Sequence, residues 1–152
     1  MVEQDDGADR APPDDPALHF RMAFDSAPVG MIVVSLAPGR EGEMVQVNAA
    51  MGRVLATPVE ELLGTDAVSY SHPEDLEDDR AVVAELVART RTSYQREKRM
   101  RRGDGSYVWV RVSVTSVVRG GRAAYVLAHV EDVTDRRVIE DELARRALYD
   151  AL

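Results

Sequence analysis

The segment from Ala124 to Arg137 constrains the fold more than any other part of this 152-residue sequence. Small apolar residues occupy the even positions from Ala124 to Val130, and larger, increasingly polar residues occupy the odd ones. This two-residue alternation predicts a strand with two different faces. After Thr134 the apolar residues recur at helical spacing. The sequence therefore predicts a last strand that runs straight into an exit helix.

The junction between that strand and that helix is predicted to be stiff, because no flexible linker separates them. Thr134 is predicted to cap the helix, since its hydroxyl can accept a hydrogen bond from an unpaired amide of the first turn. Asp135 follows where the helix dipole favours negative charge. A change in the sheet could then be carried mechanically out of the domain, with Asp132 and Thr134 as the signal-transmission residues.

Four short motifs occur in a fixed order between Leu18 and Arg137. They are the Asn-x-Ala exit of a strand (Val47–Ala50), a His-Pro-acid-acid helix entry (His72–Asp75), a hairpin (Arg102–Ser106, then Trp109-Val110) and an Asp-x-Thr ending (Glu131–Arg136). Together they resemble PAS sensor domains. The resemblance implies a PAS-like α+β fold, with a five-stranded antiparallel sheet and short helices on one of its faces. It also implies an N-terminal helix and a C-terminal exit helix.

The last nine residues, Ala144 to Leu152, carry a second resemblance. They are similar to the lead-in to a GGDEF diguanylate cyclase domain. This resemblance implies a regulatory fragment of a larger cyclase, with or without a phosphodiesterase domain beyond it. The domain prediction is a disordered acidic tail (1–15), a PAS-like sensor domain with its N-terminal helix (16–134) and a signalling helix leading to a missing output domain (135–152).

Composition removes several classes of function. The chain has no cysteine, which excludes disulfides, thiolate metal sites and thiol-linked photochemistry. The net charge of −8 argues against a nucleic-acid partner. The best apolar run, Val29 to Val34, is too short to span a bilayer. The acidic N-terminus does not look like a signal peptide. A cytoplasmic protein is predicted.

The remaining pattern predicts an α+β domain with one antiparallel sheet. Three helices are predicted to begin near Pro16, Ala49 and Pro58; the last two are short, and Thr57 is predicted to cap the helix at Pro58. A fourth, longer helix is predicted within Ser71–Thr90, with a buried stripe formed by Leu76, Val82, Val83, Leu86 and Val87. The predicted strands are Val29–Val34, Glu43–Val47, Tyr94–Arg101, Tyr107–Val118 and the final strand.

The inner face of the sheet follows from parity, because the even positions from Val108 to Val114 are all valine. Small side chains there leave space for a ligand, as PAS-like domains often do. The predicted pocket residues are Met31, Met51, Leu55, Val110, Val112, Val126, Ala128 and Val130. The alternative is a dry core in which methionines fill irregular gaps.

The histidines do not clearly indicate a cofactor, so its identity stays unknown and haem remains an alternative. His72 is predicted to cap the long helix, with Asp75 supporting the first turn. His129 is predicted to face outward, and His19 lies on the N-terminal helix. Haem-binding PAS domains usually take an axial histidine from the long helix, where this sequence has none. No metal site is predicted.

Two groups of charged residues are assigned to ordinary structural roles. The basic run of β-strand residues (Arg96, Lys98, Arg99, Arg101, Arg102) is predicted to be split between the two faces of a solvated edge, with the charged ends in water. Contact with an anion or a nucleic acid is the alternative. The acids at 74–75 and 77–79 are predicted to crowd the start of one helix, where the dipole favours them. Neither group pairs with a nucleophile, so no catalytic residue is predicted.

A homodimer is predicted from apolar side chains on the outer face and the end helices. These dimer residues are Phe20, Phe24, Trp109, Tyr125, Leu127, Ile139 and Leu143. The helix from Leu18 to Phe24 is predicted to cover the outer sheet face, within its own chain or on a partner. Paired exit helices would form a parallel coiled coil. The predicted function is regulation of a diguanylate cyclase, and the alternatives are a cofactor-binding sensor or a ligand-free interaction module.

Overall fold

The computed structural model describes residues 15–152, in which five strands form one antiparallel sheet of order β2-β1-β5-β4-β3. The strands are β1 (Gly30–Ser35), β2 (Met44–Val47), β3 (Ser93–Arg101), β4 (Tyr107–Arg119) and β5 (Arg122–Asp132). The helices are α1 (Pro16–Ser26), α2 (Ala49–Val54), α3 (Val59–Leu62), α4 (Pro73–Val87) and α5 (Thr134–Asp150), with a 3-10 turn at Ala67–Tyr70. The predicted α+β architecture is confirmed.

The core lies between the inner face of the sheet and the helices that follow β2 and precede β3. Ala128 of the central strand β5 pairs with Ile32 of β1 on one side and Val114 of β4 on the other. The even-numbered residues from Val108 to Val114 of β4 and from Val126 to Val130 of β5 point into this core, and Val110 and Val130 are almost completely buried. The alternation in the sequence therefore assigns the two faces of these strands correctly.

Asn48 connects three elements at one corner of the core. Its side chain is fully buried, and its Oδ1 accepts hydrogen bonds from the amides of Met31 (2.9 Å) and Met51 (3.0 Å). Its Nδ2 donates to the carbonyls of Phe24 (2.9 Å) and Val29 (3.1 Å). Because a buried amide is costly unless bonded, this arrangement fixes the end of α1 against β1 and α2.

Two helix starts differ from the prediction. Asp15, assigned to the disordered tail, caps α1, because its carboxylate accepts a hydrogen bond from the amide of Ala17 at 3.1 Å. The rest of the predicted tail, residues 1–14, lies outside the described residues. Thr57 does not cap α3, since its hydroxyl donates to the carbonyl of Leu55 and α3 begins after Pro58 without a side-chain cap.

The position of α1 also differs from the prediction. It packs beside α2 and β2 with Phe24 buried beneath it, whereas Phe20 remains 46% exposed. Trp109 lies on β4, three strands away from β2. Within its own chain, α1 therefore does not cover Trp109 on the outer face of the sheet. Tyr125 on that face is exposed. Coverage by a partner's helix stays a prediction.

Candidate ligand cavity and output junction

A cavity of about 90 Å³ lies between the inner face of the sheet and α4. Four of the predicted pocket residues line it, namely Val112, Val126, Ala128 and Val130. Apolar side chains of β1, β3 and α4 complete most of its wall, among them Ile32, Val34, Val82, Val83, Leu86 and Met100. This wall is suited to the apolar part of a small molecule.

The other four predicted pocket residues do not line the cavity. Met51, Leu55 and Val110 are fully buried, but they belong to the packed core beside it. Met31 pairs with the exposed residue His129 and is only half-buried. The reason is parity within β1, since Ile32 points inward and its neighbour Met31 therefore takes the other face.

Beside the cavity lies a buried ion pair that the sequence analysis missed. The ammonium of Lys98 lies 2.8 Å from a carboxylate oxygen of Asp79 and 2.9 Å from the hydroxyl of Ser71. Ser71 donates in turn to the same oxygen of Asp79. Lys98 is only 8% exposed and Asp79 only 5%. The prediction that the charged end of Lys98 lies in water is wrong, and Asp79, one of the acids predicted near the start of the long helix, is buried against the sheet.

The fold brings these residues together through two simple constraints. Lys98 pairs with Val110 in the β3–β4 hairpin, and residues paired in antiparallel strands share a face. Since Val110 is on the inner face, Lys98 must point inward too. Asp79 is the buried acid of α4, where the helix faces the sheet, and Ser71 lies just before that helix.

The electrostatics of this ion pair are governed by burial. Burial lowers the pKa of the Lys98 ammonium below its ordinary value, while the attraction of Asp79 opposes that change. Arg96 extends the cluster, with its guanidinium 3.3 Å from Asp75 and 3.6 Å from Asp79. The Nε of Arg96 is buried and has no hydrogen-bond partner within residues 15–152.

At the output junction β5 ends at Asp132 and α5 begins at Thr134. A carboxylate oxygen of Asp132 accepts a hydrogen bond from the amide of Thr134 at 2.9 Å. The hydroxyl of Thr134 is buried and has no partner in the described part of the chain. The predicted Thr134 cap is therefore wrong. Thr134 is already the first helical residue, and the side chain two positions earlier binds the free amide.

Charged and aromatic side chains fix the first turn of α5 to the outer face of the sheet. Glu97 of β3 forms ion pairs with Arg136 and, at 3.3 Å, with Arg137. The guanidinium of Arg137 lies 3.6 Å from the ring centre of Trp109, and the Trp109 carbonyl accepts from the amide of Val133 at 2.9 Å. The hydrogen bond from Arg136 lowers the pKa of Glu97.

Beyond its first turn, α5 is in contact with little of the domain. It contains no buried residue, and Ile139 and Leu143 are each about 60% exposed. Of the predicted dimer residues, Trp109 and Leu127 are half-buried on the sheet, Tyr125 is exposed, and Phe20 and Phe24 lie at the β2 edge. A single chain therefore does not join these residues into one surface.

A protein-family model of the PAS fold matches residues 44–130, more than half of the chain. The chain belongs to the PAS family. Its sequence is 34% identical over 124 residues to a probable diguanylate cyclase of Escherichia coli strain K12, covering 80% of this chain and 11% of that protein. This PAS domain thus spans about a tenth of the length of that relative.

Solved structures show the same fold. The PAS domain of a Colwellia psychrerythraea protein has a TM-score of 0.69 at 20% identity, covering 80% of this chain and 99% of that one. An RNA-binding light-oxygen-voltage receptor has a TM-score of 0.75 at 20% identity, covering 99% of this chain and 42% of that one. At these identities the similarity concerns the fold alone.

The cavity of this PAS domain does not fit a haem group. Sites for drug-sized ligands measure roughly 300–1,000 Å³, whereas this cavity measures about 90 Å³ and has no histidine among its lining residues. His72 caps α4 through its Nδ1, which accepts from the amide of Glu74 at 3.0 Å. Asp75, predicted to support that turn, instead accepts from the amide of Arg99 in β3 at 3.1 Å.

Residues 15–152 also bear on metal binding and on membrane insertion. No group of three or more His, Asp or Glu side chains there is arranged to hold a metal ion. None of the helices in that range has the length and apolar character needed to cross a bilayer.

Proposed function

We propose that this PAS domain is a sensory and dimerisation module that regulates a diguanylate cyclase domain, and hence cyclic di-GMP synthesis, through α5. Support comes from its 34% identity to part of a probable diguanylate cyclase. The C-terminal segment Ala144–Leu152, similar to the lead-in to a cyclase domain, agrees with that order of domains. We further propose a cytoplasmic location, where the nucleotides that such an enzyme joins are found.

The observation that carries this proposal is the arrangement of α5. Its first turn is bound to two different strands, through Glu97 of β3 and Trp109 of β4, and it follows β5 without a linker. The rest of the helix is exposed. A displacement of any of these three strands would therefore change the direction in which α5 leaves the sheet.

In a dimer, that change in the direction of α5 would alter how the two subunits' helices are arranged. An isolated helix of 17 residues is only marginally stable in water. The exposed side chains of Ile139, Leu143 and Leu148 recur at helical spacing and would be covered by the same helix of a second subunit. A cyclase that joins two nucleotides across a dimer would respond to rotation of such a helix pair.

The test compares two arginines of α5 in the parent cyclase that contains this domain. Arg137→Gln removes the contact with Trp109, whereas Arg146→Gln removes an exposed pair with Glu142 further along the same helix. We expect the first change to alter cyclase activity severalfold and the second to leave it unchanged, with equal melting temperatures. Unchanged activity in the Arg137 variant would contradict the proposal.

Binding of a small molecule in the cavity is a second candidate function. The observation that favours it is the cavity itself, which has an almost entirely apolar wall. A ligand there would contact β3, β4 and β5, the strands from which α5 departs or to which it is bound.

A further inference from the structure

Arg99 contacts parts of the domain on both sides of the edge strand β3. It pairs with Trp109 of β4, and its guanidinium lies 5.3 Å from the centre of the Trp109 ring, within the range of a cation–π contact. The same guanidinium lies 2.7 Å from a carboxylate oxygen of Glu74 in the first turn of α4. Arg99 therefore connects the first turn of α4, on the inner side of the sheet, with the outer face.

The backbone of Arg99 is bonded to the same turn. Its amide donates to the Asp75 carboxylate at 3.1 Å, and its carbonyl accepts from the amide of His72 at 3.0 Å. The hydrogen bond from the Arg99 side chain lowers the pKa of the Glu74 carboxyl, which is therefore charged at neutral pH. Because the side chain of Glu74 is 74% exposed, water screens this pair and the side-chain contact is weak. The Arg99 guanidinium can thus leave α4 at little cost while its backbone remains in β3.

Trp109 is also contacted by Arg137 of α5, whose guanidinium lies 3.6 Å from the ring centre. One indole ring is therefore shared by an arginine bound to α4 and an arginine of α5. A guanidinium is planar and stacks on an aromatic ring in a restricted geometry, so a cation on the ring limits the positions that the ring takes. The contact of Arg99 with Trp109 thus affects the surface on which Arg137 rests.

We propose that Arg99 is a positioning residue for α5, which conveys a displacement of the first turn of α4 to Arg137 through the Trp109 ring. The inference rests on the proposed function for the regulatory role of α5, and it names the helix from which a signal enters. α4 is suited to this role because its Val82 and Leu86 line the cavity. When its first turn moves away from the sheet, the Arg99 guanidinium loses its anchor beside the ring and Arg137 loses part of its support.

The first test changes the α4 end of this route in the purified 152-residue chain. Glu74→Gln keeps the shape of the side chain but removes the charge that holds Arg99. Hydrogen exchange at the amide of Arg137, which donates to the carbonyl of Val133 at 3.0 Å, reports opening of the first turn of α5. We expect this amide to exchange about two- to fivefold faster, the range expected for loss of an exposed cation–π contact. Glu77→Gln, which changes another exposed acid of α4, is the control and should leave the rate unchanged. An unchanged rate in the Glu74 variant would overturn the proposal.

The second test shows whether the effect passes through Arg99. Arg99→Gln should accelerate exchange of the Arg137 amide by a similar factor, and adding Glu74→Gln should accelerate it no further, because both changes interrupt one route. Arg101→Gln is the control, since the Arg101 guanidinium lies over the ring of Tyr70, and it should leave the rate unchanged. Additive effects would overturn the route through Arg99. Slower exchange in Arg99→Gln would overturn it as well, because Arg99 would then compete with Arg137 for the ring.

Amides of β1, measured in the same experiment, distinguish a local effect from a general loss of stability. They should keep their exchange rates in every variant, and acceleration there equal to that at Arg137 would overturn the proposal. These outcomes are separable from those of the proposed function, because hydrogen exchange in the 152-residue chain requires no cyclase activity. An α5 that is unaffected by Glu74→Gln overturns the route from α4 alone, whereas a cyclase that is unaffected by Arg137→Gln overturns the output role alone.

Discussion

Adjacent residues of β3 form ion pairs on opposite faces of the sheet, and the two environments differ sharply. Lys98 points inward to Asp79 and is almost completely buried, whereas Glu97 points outward to Arg136 and keeps a quarter of its side chain exposed. Removing one member of a buried pair leaves an uncompensated charge and is costly. Exposed pairs are screened by water and contribute little to stability.

This difference suits the two pairs to different tasks. The inner pair attaches α4 and Ser71 to β3 beside the cavity, so it holds the helices against the sheet. The outer pair fixes the start of α5, and a weak, reversible contact there would suit the proposed regulatory role of this helix. Because Glu97 and Lys98 are neighbours on one strand, a shift of Lys98 would move the α5 contact with it.

The largest expected effect tests the inner pair. Lys98→Met should lower the free energy of unfolding by about 3–5 kcal/mol, because Asp79 would remain buried without its partner. The double variant with Asp79→Leu should recover most of this loss, since a buried pair can be replaced by apolar groups at little cost. Urea denaturation measures both. A single variant as stable as the original chain would show that the inner pair does not differ from the outer one.

The inner face itself is tested by Ala128→Phe, which adds a large side chain at the cavity wall. Overpacking should lower the free energy of unfolding by about 1–3 kcal/mol, toward the lower value if the ring enters the cavity. The control, His129→Phe, changes the adjacent exposed residue and should stay within about 0.5 kcal/mol. Thermal or urea unfolding distinguishes the two. Equal losses would mean that the two faces of β5 are packed alike.

Sequence reasoning identified the faces of β4 and β5 because their side chains alternate in both size and polarity. It failed at β3, where Arg96, Lys98 and Arg99 are all charged and the charge itself suggested solvent. The hairpin after Arg101 contains enough information to correct this. With Met100 opposite Val108, parity puts Lys98 opposite Val110 on the inner face. The buried carboxylate that makes this possible lies far away in sequence, on α4.

At the output junction the sequence predicted the strand, the helix and the absence of a linker, but not the cap. Asp132 and Thr134 are both good capping residues, and only the backbone decides which one precedes the first helical turn. Met31 shows the same limit, because an apolar strand of similar side chains carries no alternation from which to read its inward face. The sequence did not predict features that depend on a contact with a residue distant in sequence, or on the exact residue at which a helix begins.

A smaller effect on stability is expected at the start of α5, where it distinguishes the two possible capping residues, Asp132 and Thr134. Asp132→Ala should destabilise the start of α5 by about 1 kcal/mol, because the amide of Thr134 loses its acceptor. Thr134→Val should cost much less, since the hydroxyl it removes has no partner among the described residues. Hydrogen exchange of the first amides of α5 measures both changes. A greater loss in the Thr134 variant would restore Thr134 as the cap.

The smallest expected effect is the pH response of the outer pair, for which the only tryptophan is a direct reporter. Arg136 lowers the pKa of Glu97 in the folded protein. A lowered folded-state pKa means that the contribution of Glu97 is fully present above the ordinary carboxyl pKa of about 4.3 and disappears as the pH falls through the lowered value. Fluorescence of Trp109, which Arg137 covers, should therefore change on acidification.

The matched variant for this measurement is Glu97→Gln, which keeps the shape of the side chain but cannot titrate. Its Trp109 fluorescence at neutral pH should already resemble that of the acidified original chain, and its acid-dependent change should be smaller. Far-UV circular dichroism over the same range checks that the sheet persists. An identical pH response in the variant would mean that groups other than Glu97 hold α5 against the sheet. The outer face of β3 would then not have the separate role proposed for it.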